Sequence, residues 1–180
     1  MKKRILAFVI LVVAVMFSNE AIAQNFPKLD KSPMDAATYP SSHRVSDKKV
    51  KVVYSRPQLK GRSLSKLAPN DKVWRTGANE ATEITFYKDV NFGGKDVKAG
   101  TYTLFTIPGD KEWTVILSTA KNVWGAYLYN ESEDVVRVKA AVSKAAKKAG
   151  IFSIVFEGEE AVFNMYLGWE KVIVSIPVKG

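Results

Sequence analysis

From Val50 to the end of the chain, apolar residues recur at every second position in short runs separated by turn residues. Val50, Val52 and Tyr54 share one face of an extended segment; Ile84 and Phe86 share another. A period of two is the mark of a strand with one buried face. Residues 101–107 depart from it, being apolar or threonine on both faces, and predict a central strand buried on each side. Residues 91–94 (NFGG) supply a turn. Pro108-Gly109-Asp110 ends the central run before residues 113–117 resume it. The last third repeats the habit: Val136 with Val138, then Phe152, Ile154 and Phe156, then Phe163, Met165, Leu167 and Trp169. Val172, Val174, Ile176 and Val178 close it.

Two segments read differently. Residues 143–150 (SKAAKKAG) predict a short helix stopped by Gly150. Residues 24–48, rich in Pro, Ser, Asp and Lys, have no apolar period and predict an extended arm or linker. About eight short strands with regular turn signals and little helix predict an all-β, single-domain antiparallel β-sandwich of jelly-roll type over residues 49–180. No internal repeat is visible.

The first 23 residues have the composition of an export leader. Lys2, Lys3 and Arg4 precede a 13-residue apolar run, residues 5–17, and Ala21-Ile22-Ala23 supplies the small-x-small cleavage pattern. The run is shorter than the ~20 residues that span a bilayer as a helix. Cleavage after Ala23 is expected, with no transmembrane anchor left and a periplasmic or secreted address. The chain has no cysteine, which removes lipid attachment, disulfides and thiol chemistry together.

Charge changes the picture modestly. The formal net charge is +9; removing the three positive charges and one negative charge of the leader leaves +7. Such a surplus favours acidic partners. The lysines, however, are scattered and form no stripe, so no specific nucleic-acid signal is read.

Candidate chemistry is bounded mainly by what is missing. The one histidine, His43, lies in the irregular arm beside Ser41 and Ser42, and no glycine-flanked serine elbow accompanies it. Glycine loops that cradle phosphates are absent, so no cofactor is expected. Asp30, Asp35 and His43 have no diagnostic metal spacing, and no metal is expected. Carboxylate, arginine, asparagine and aromatic chemistry remains. Arg56 and Arg62 stand close together in residues 53–62 (VYSRPQLKGR), with Lys60 between them. Trp74, Arg75, Asn79 and Glu80 fall within residues 72–82 (KVWRTGANEAT). Guanidinium groups grip carboxylates and phosphates through paired donors, and indole faces stack on sugar rings. Trp74 and Trp124, both beside glycine-bearing loops, are the candidate platforms; Trp113, Trp169, Phe105 and Phe163 are assigned to the core. Alternatively, Arg75 and Glu80 pair with each other, or with Arg56 and Asp134, and staple strand ends.

These segments resemble a bacterial family of exported proteins known as domain of unknown function 2911. The likeness lies in LDKSPMD (29–35), VYSRPQLKGR, KVWRTGANEAT, AGTYTLFTIPG (99–109), WGAY (124–127), DVVRV (134–138) and GWEKVIVSIPV (168–178). Residues 63–71 (SLSKLAPND) depart from the family's glycine- and phenylalanine-bearing turn, which puts a shared ligand in doubt. The resemblance implies a secreted β-rich domain and carries over no catalytic residue. The expectation is an exported soluble module that binds a small anionic or glycan-like ligand through Arg56, Arg62, Trp74, Arg75, Asn79, Glu80 and Trp124. Two alternatives stand beside it. One is a hydrolase of envelope or extracellular polysaccharide with Glu80 as general acid and a partner among Glu83, Asp134 and Glu170. The other is a structural partner of an envelope protein, bound through an exposed sheet edge.

Overall fold

The computed structural model describes residues 24–180; residues 1–23, where an export leader is expected, lie outside the described residues. Nine antiparallel strands form one sheet in the order β1-β2-β3-β6-β7-β8-β9-β4-β5. They are β1 (Met34–Tyr39), β2 (Val50–Ser55), β3 (Thr82–Phe86), β4 (Val90–Phe92), β5 (Lys95–Val97), β6 (Gly100–Ile107), β7 (Glu112–Ser118), β8 (Asp134–Glu159) and β9 (Val162–Lys179). The expected β class is therefore observed, as one sheet turned back on itself.

The turn is made by β8. Its first residues pair with β7, from Ser118↔Asp134 to Glu112↔Ala141, and the remainder pairs with β9, from Val142↔Val174 to Glu159↔Val162. A single buried cluster draws Val52, Ile84, Leu104 and Val115 from one part of the sheet and Phe152, Met165, Trp169 and Ile176 from the other. Aromatic contacts join the two parts: Tyr39 stacks on Phe163 at 4.1 Å, and Tyr54 meets Phe152 edge-on at 5.8 Å. Such pairs add about 0.5–1.5 kcal/mol each beyond the area they bury.

Two sequence expectations need correction. Residues 143–150 are strand, not helix. Alanine and lysine favour a helix in isolation, but here the segment is carried by pairing with β9 across two register shifts, with Ala149 opposite Glu170. Gly150 is not among the residues with positive φ, so it caps nothing. The arm is not all linker either, since β1 lies within residues 24–48 and pairs along all of β2. Among the described residues one α-helical turn occurs, α1 (Leu64–Leu67), and its N-cap Ser63 accepts a hydrogen bond from the Lys66 amide at 3.3 Å.

The central strand behaves as its composition demands. Residues 102–106 of β6 are buried on both faces. The inner face joins the main core. The outer face carries Phe105, which forms a second small cluster with Ala81 and Ile116, covered by Val123, Ala126 and Tyr129. The lid over that outer face, residues 120–129, is the element that positions the candidate site. At the far end of the sheet the NFGG turn is a two-residue hairpin. Gly93 and Gly94 (φ +57 and +88) join β4 to β5 in the positive-φ conformation such hairpins require.

Candidate functional site

The run from Trp74 to Thr82 is a compact loop, and most of its residues have identifiable structural work. Trp74 pairs with Thr106 through reciprocal backbone bonds of 2.7 and 2.9 Å, which extends the sheet beyond β3 and turns its indole inward. Thr76, fully buried with φ +54, donates its hydroxyl to Thr106 Oγ1 at 3.1 Å. Gly77 passes so close to β2 that a β-carbon there would sit 3.0 Å from the Ser55 carbonyl oxygen. Thr82 closes the loop, its hydroxyl donating to the Thr76 carbonyl at 2.7 Å and its amide to the Arg75 carbonyl at 3.1 Å. Positive φ at Thr76 and Asn79 supplies the reversals, a conformation that asparagine tolerates and threonine does not favour.

The lid is zipped onto this loop. The Ala81 amide donates to the Val123 carbonyl at 2.8 Å, the Gly125 amide to the Asn79 carbonyl at 3.0 Å, and Glu80 bridges Trp124 in antiparallel register. Glu83 accepts the Asn122 amide at 3.1 Å. Between these segments and the start of β1 lies a cleft of about 240 Å³, walled by Met34, Ser55, Glu80, Glu83, Asn122 and Val123. Glu80 is exposed at its rim. Beside it Trp124 is 60% exposed, with Tyr127 81% and Leu128 84% exposed on the same short lid. Three large side chains are thus left in water within five positions of one short segment.

Tyr129 ties the lid down from beneath. Its ring meets Phe105 edge-on at 5.2 Å, and its hydroxyl donates to Asp134 Oδ2 at 2.5 Å. Arg137 Nη1 donates to the same carboxylate oxygen at 2.8 Å and to the Tyr129 oxygen at 2.9 Å. Burial first, and then the hydrogen bond to Asp134, pushes the Tyr129 hydroxyl well above the ordinary tyrosine range.

The residues singled out from the sequence separate into two groups. Asn79, Glu80 and Trp124 stand together at the rim. Asn79 also helps the Ser32 amide, the larger influence, to hold the Asp30 carboxyl below the ordinary carboxylate range. Trp74, Arg56 and Arg62 are engaged elsewhere. Trp74 is only 5% exposed, stacked on Trp169 at 5.6 Å and edge-on to Phe152 and Trp113, so it offers no face to a ligand. Arg56 is a clamp: it pairs with Asp35 at 2.9 Å and donates to the Phe152 carbonyl at 3.1 Å and Ser153 Oγ at 2.7 Å. Arg62 folds back on its own turn, donating to the carbonyls of Leu59 and Gln58 at 3.1 and 2.9 Å.

The alternative in which Arg75 and Glu80 staple strand ends does not hold. Among the described residues neither forms an ion pair, Asp134 is paired with Arg137, and Arg75 Nε is buried without a hydrogen-bond partner. Phe105, Trp113, Phe163 and Trp169 are all core, at 0 to 3% exposure. Among the described residues no three of His, Cys, Asp or Glu gather as metal ligands.

Sequence reasoning missed Met34, Asn122, Tyr127 and Leu128. The signal for the last two was present: residues 124–129 (WGAYLY) put four large apolar side chains in a stretch with no strand period.

The chain belongs to the family described as "Protein of unknown function (DUF2911)", whose model matches residues 32–178. The match spans every strand except the last residue of β9, including the loop, the lid and the cleft between them. No curated protein and no solved structure matches the chain. Among the described residues no helix is long and apolar enough to cross a membrane.

Proposed function

We propose that this protein is an exported binding module for a hydroxyl-rich, glycan-like ligand, held at the rim where the Trp74–Thr82 loop meets the lid. The observation that carries the reading is the placement of an exposed indole, Trp124, against a cleft lined by two carboxylates and an asparagine. Carboxylate oxygens accept hydrogen bonds from sugar hydroxyls, and an indole face stacks on the apolar face of a sugar ring. At about 240 Å³ the cleft lies below the roughly 300–1,000 Å³ of a site that engulfs a drug-sized ligand. It suits one unit of a longer chain, with its neighbour lying across Trp124. The anionic ligand is disfavoured, because Arg56 and Arg62 are engaged elsewhere and the cleft presents Glu80 and Glu83 instead.

Titration calorimetry with a panel of neutral and acidic oligosaccharides tests the reading. Neutral chains are expected to bind, and Trp124→Ala to weaken them at least tenfold with the melting temperature unchanged. Equal binding by Trp124→Ala, or no binding across the panel, would overturn it.

Two carboxylates lining one cleft also favour a second reading, hydrolysis of the bound chain. Glu80 stands exposed at the rim, and Glu83 accepts the Asn122 amide. Release of reducing ends by the native protein, lost in Glu80→Gln, would establish that reading in place of simple binding.

A further inference from the structure

The sheet has two ends, and they are built differently. At one end β5 is three residues long and carries Lys95 and Asp96, with Lys98 just beyond; short, charged edges resist pairing with other chains. At the other end β1 is six residues long. Its sequence, MDAATY, contains no lysine, arginine or proline, and its pairing with β2 has no bulge. This edge faces the outer edge of β8 across a groove of about 500 Å³, lined by Ala36, Thr38, Ser41, Ile154, Phe156 and Glu157 among others.

The backbone hydrogen bonds show which groups point into the groove. In an antiparallel pair, alternate residues direct both backbone groups toward the partner strand and the residues between direct both away. The Ile154 amide donates to the Tyr54 hydroxyl at 3.0 Å, so Ile154 faces away from β9. The Phe152 amide likewise turns outward, to the Pro57 carbonyl at 3.0 Å. By the same alternation Phe156 faces the groove, and no partner for its amide or carbonyl occurs among the described residues. On β1, the Ala36 amide donates to the carboxylate of its neighbour Asp35 at 2.8 Å, and the Tyr39 carbonyl accepts the Lys49 amide on the β2 side at 2.7 Å. Ala36 and Thr38 therefore face the groove.

The upper part of this seam is already closed. A short bridge joins Gln58 to Ile151, Arg56 caps the Phe152 carbonyl at 3.1 Å, and the Tyr54 hydroxyl sits against the amide of Ile154 and, at 3.4 Å, its carbonyl. A side-chain hydroxyl there occupies the place of a strand's peptide group. Below Ile154 no such substitute exists among the described residues. The Gln58 bridge is antiparallel and β1 is antiparallel to β2, so β1 and β8 run the same way along the groove. One extended segment could thus be antiparallel to both at once.

We infer that this seam is a docking slot for an extended, β-forming peptide segment of another polypeptide, which bonds through its main chain to Ala36 and Thr38 on one side and Phe156 on the other. The small side chains of Ala36, Ala37 and Ser41 leave room for a main chain to approach, which favours a guest with small or β-branched residues. Tyr54 borders both this slot and the cleft beside Trp124, but Ala36, Thr38 and Phe156 line the slot alone.

The test is a selection of random eight-residue peptides, displayed on phage, against the mature chain, followed by amide NMR and hydrogen exchange with the enriched peptides. Enriched peptides are expected to slow exchange at Thr38 and Phe156 at least tenfold. Binding should weaken at least tenfold in Thr38→Pro, which removes an edge donor, and in Ala36→Lys, which guards the edge with charge and leaves the β1–β2 backbone bonds intact. Four results would overturn the inference: no enrichment, peptides that perturb amides around Trp124 instead, equal affinity for a folded Ala36→Lys variant, or a dimer of the chain itself that occupies the seam.

Discussion

Two tryptophans flanked by glycine-bearing loops meet opposite fates. Trp74 lies between two aromatic neighbours edge-on and a third in a stack, 5% exposed; Trp124 stands in water at 60%. Nothing in their immediate neighbours separates them, since each has small residues close by in the chain. What separates them is backbone pairing. Trp74 is paired in the sheet with Thr106 on the central strand, whose own side chain lies on the inner face, so the indole follows it inward. Trp124 is bridged to Glu80 at the outer margin, above the second small cluster. The side of the sheet is decided by register, and register is a property of the partner strand. The inner tryptophan thus belongs to stability, and the outer one is left free to serve as the platform of the proposed binding site.

The most severe way to test that division is Trp74→Ala. Removing a large buried aromatic costs about 3–5 kcal/mol, through lost burial and the cavity left behind. For a domain of this size that lowers the melting temperature by roughly 6–20 °C. Calorimetry on Trp74→Ala beside Trp124→Ala measures the contrast directly. A Trp74 variant as stable as the native chain would show that the inner cluster is not what holds the two parts of the sheet together.

A smaller effect is expected at Gly125, the residue after the exposed tryptophan. Its φ is +70, and a β-carbon would approach the Tyr127 ring to 2.6 Å. Left-handed geometry costs a residue with a β-carbon roughly 1–2 kcal/mol, and the tyrosine ring must also swing aside. Gly125→Ala is expected to melt about 2–8 °C lower and to weaken ligand binding along with Trp124, because it reshapes the rim. Unchanged binding would mean that the lid's conformation does not matter to recognition.

How much of this was legible in the residues follows the same line. The doubly buried β6, the Gly93-Gly94 hairpin and the core aromatics of β7, β8 and β9 were readable because a local period of two survives intact there. Residues 143–150 misled because their composition favours a helix, while the pairing that makes them strand comes from β9, about 25 residues further on. The strand β1 was hidden for a related reason, since MDAATY has weak β-propensity and is ordered by its contacts with β2. The motif at residues 72–82 was conspicuous as text, but most of its residues build a loop. Of the three arginines expected to grip a ligand, Arg75 is left without an ion-pair partner among the described residues, and Arg56 and Arg62 hold backbone in place.

The mildest way to sharpen the contrast is to raise the pH. Tyr129 fastens the lid to the sheet with its hydroxyl protonated, and its ionisation is pushed above the usual range by burial and by Asp134. A group whose ionisation is raised on folding contributes stability that is fully present below its unfolded value, about 10 for tyrosine, and lost as pH climbs above it. Tyr54 is shifted in the same direction, mainly by its own burial, so it adds to the loss at the seam between β2 and β8. The melting temperature should therefore show no tyrosine-linked loss up to about pH 9 and should fall above pH 10. Tyr129→Phe should fall less steeply, because the phenyl ring keeps its contact with Phe105 and has no proton to lose. Trp124 fluorescence should report the lid loosening in the native chain before the buried tryptophans become exposed. If all four tryptophans respond together, the lid and the core unfold as one unit, and the separation of recognition from stability drawn from Trp74 and Trp124 would not extend to their motions.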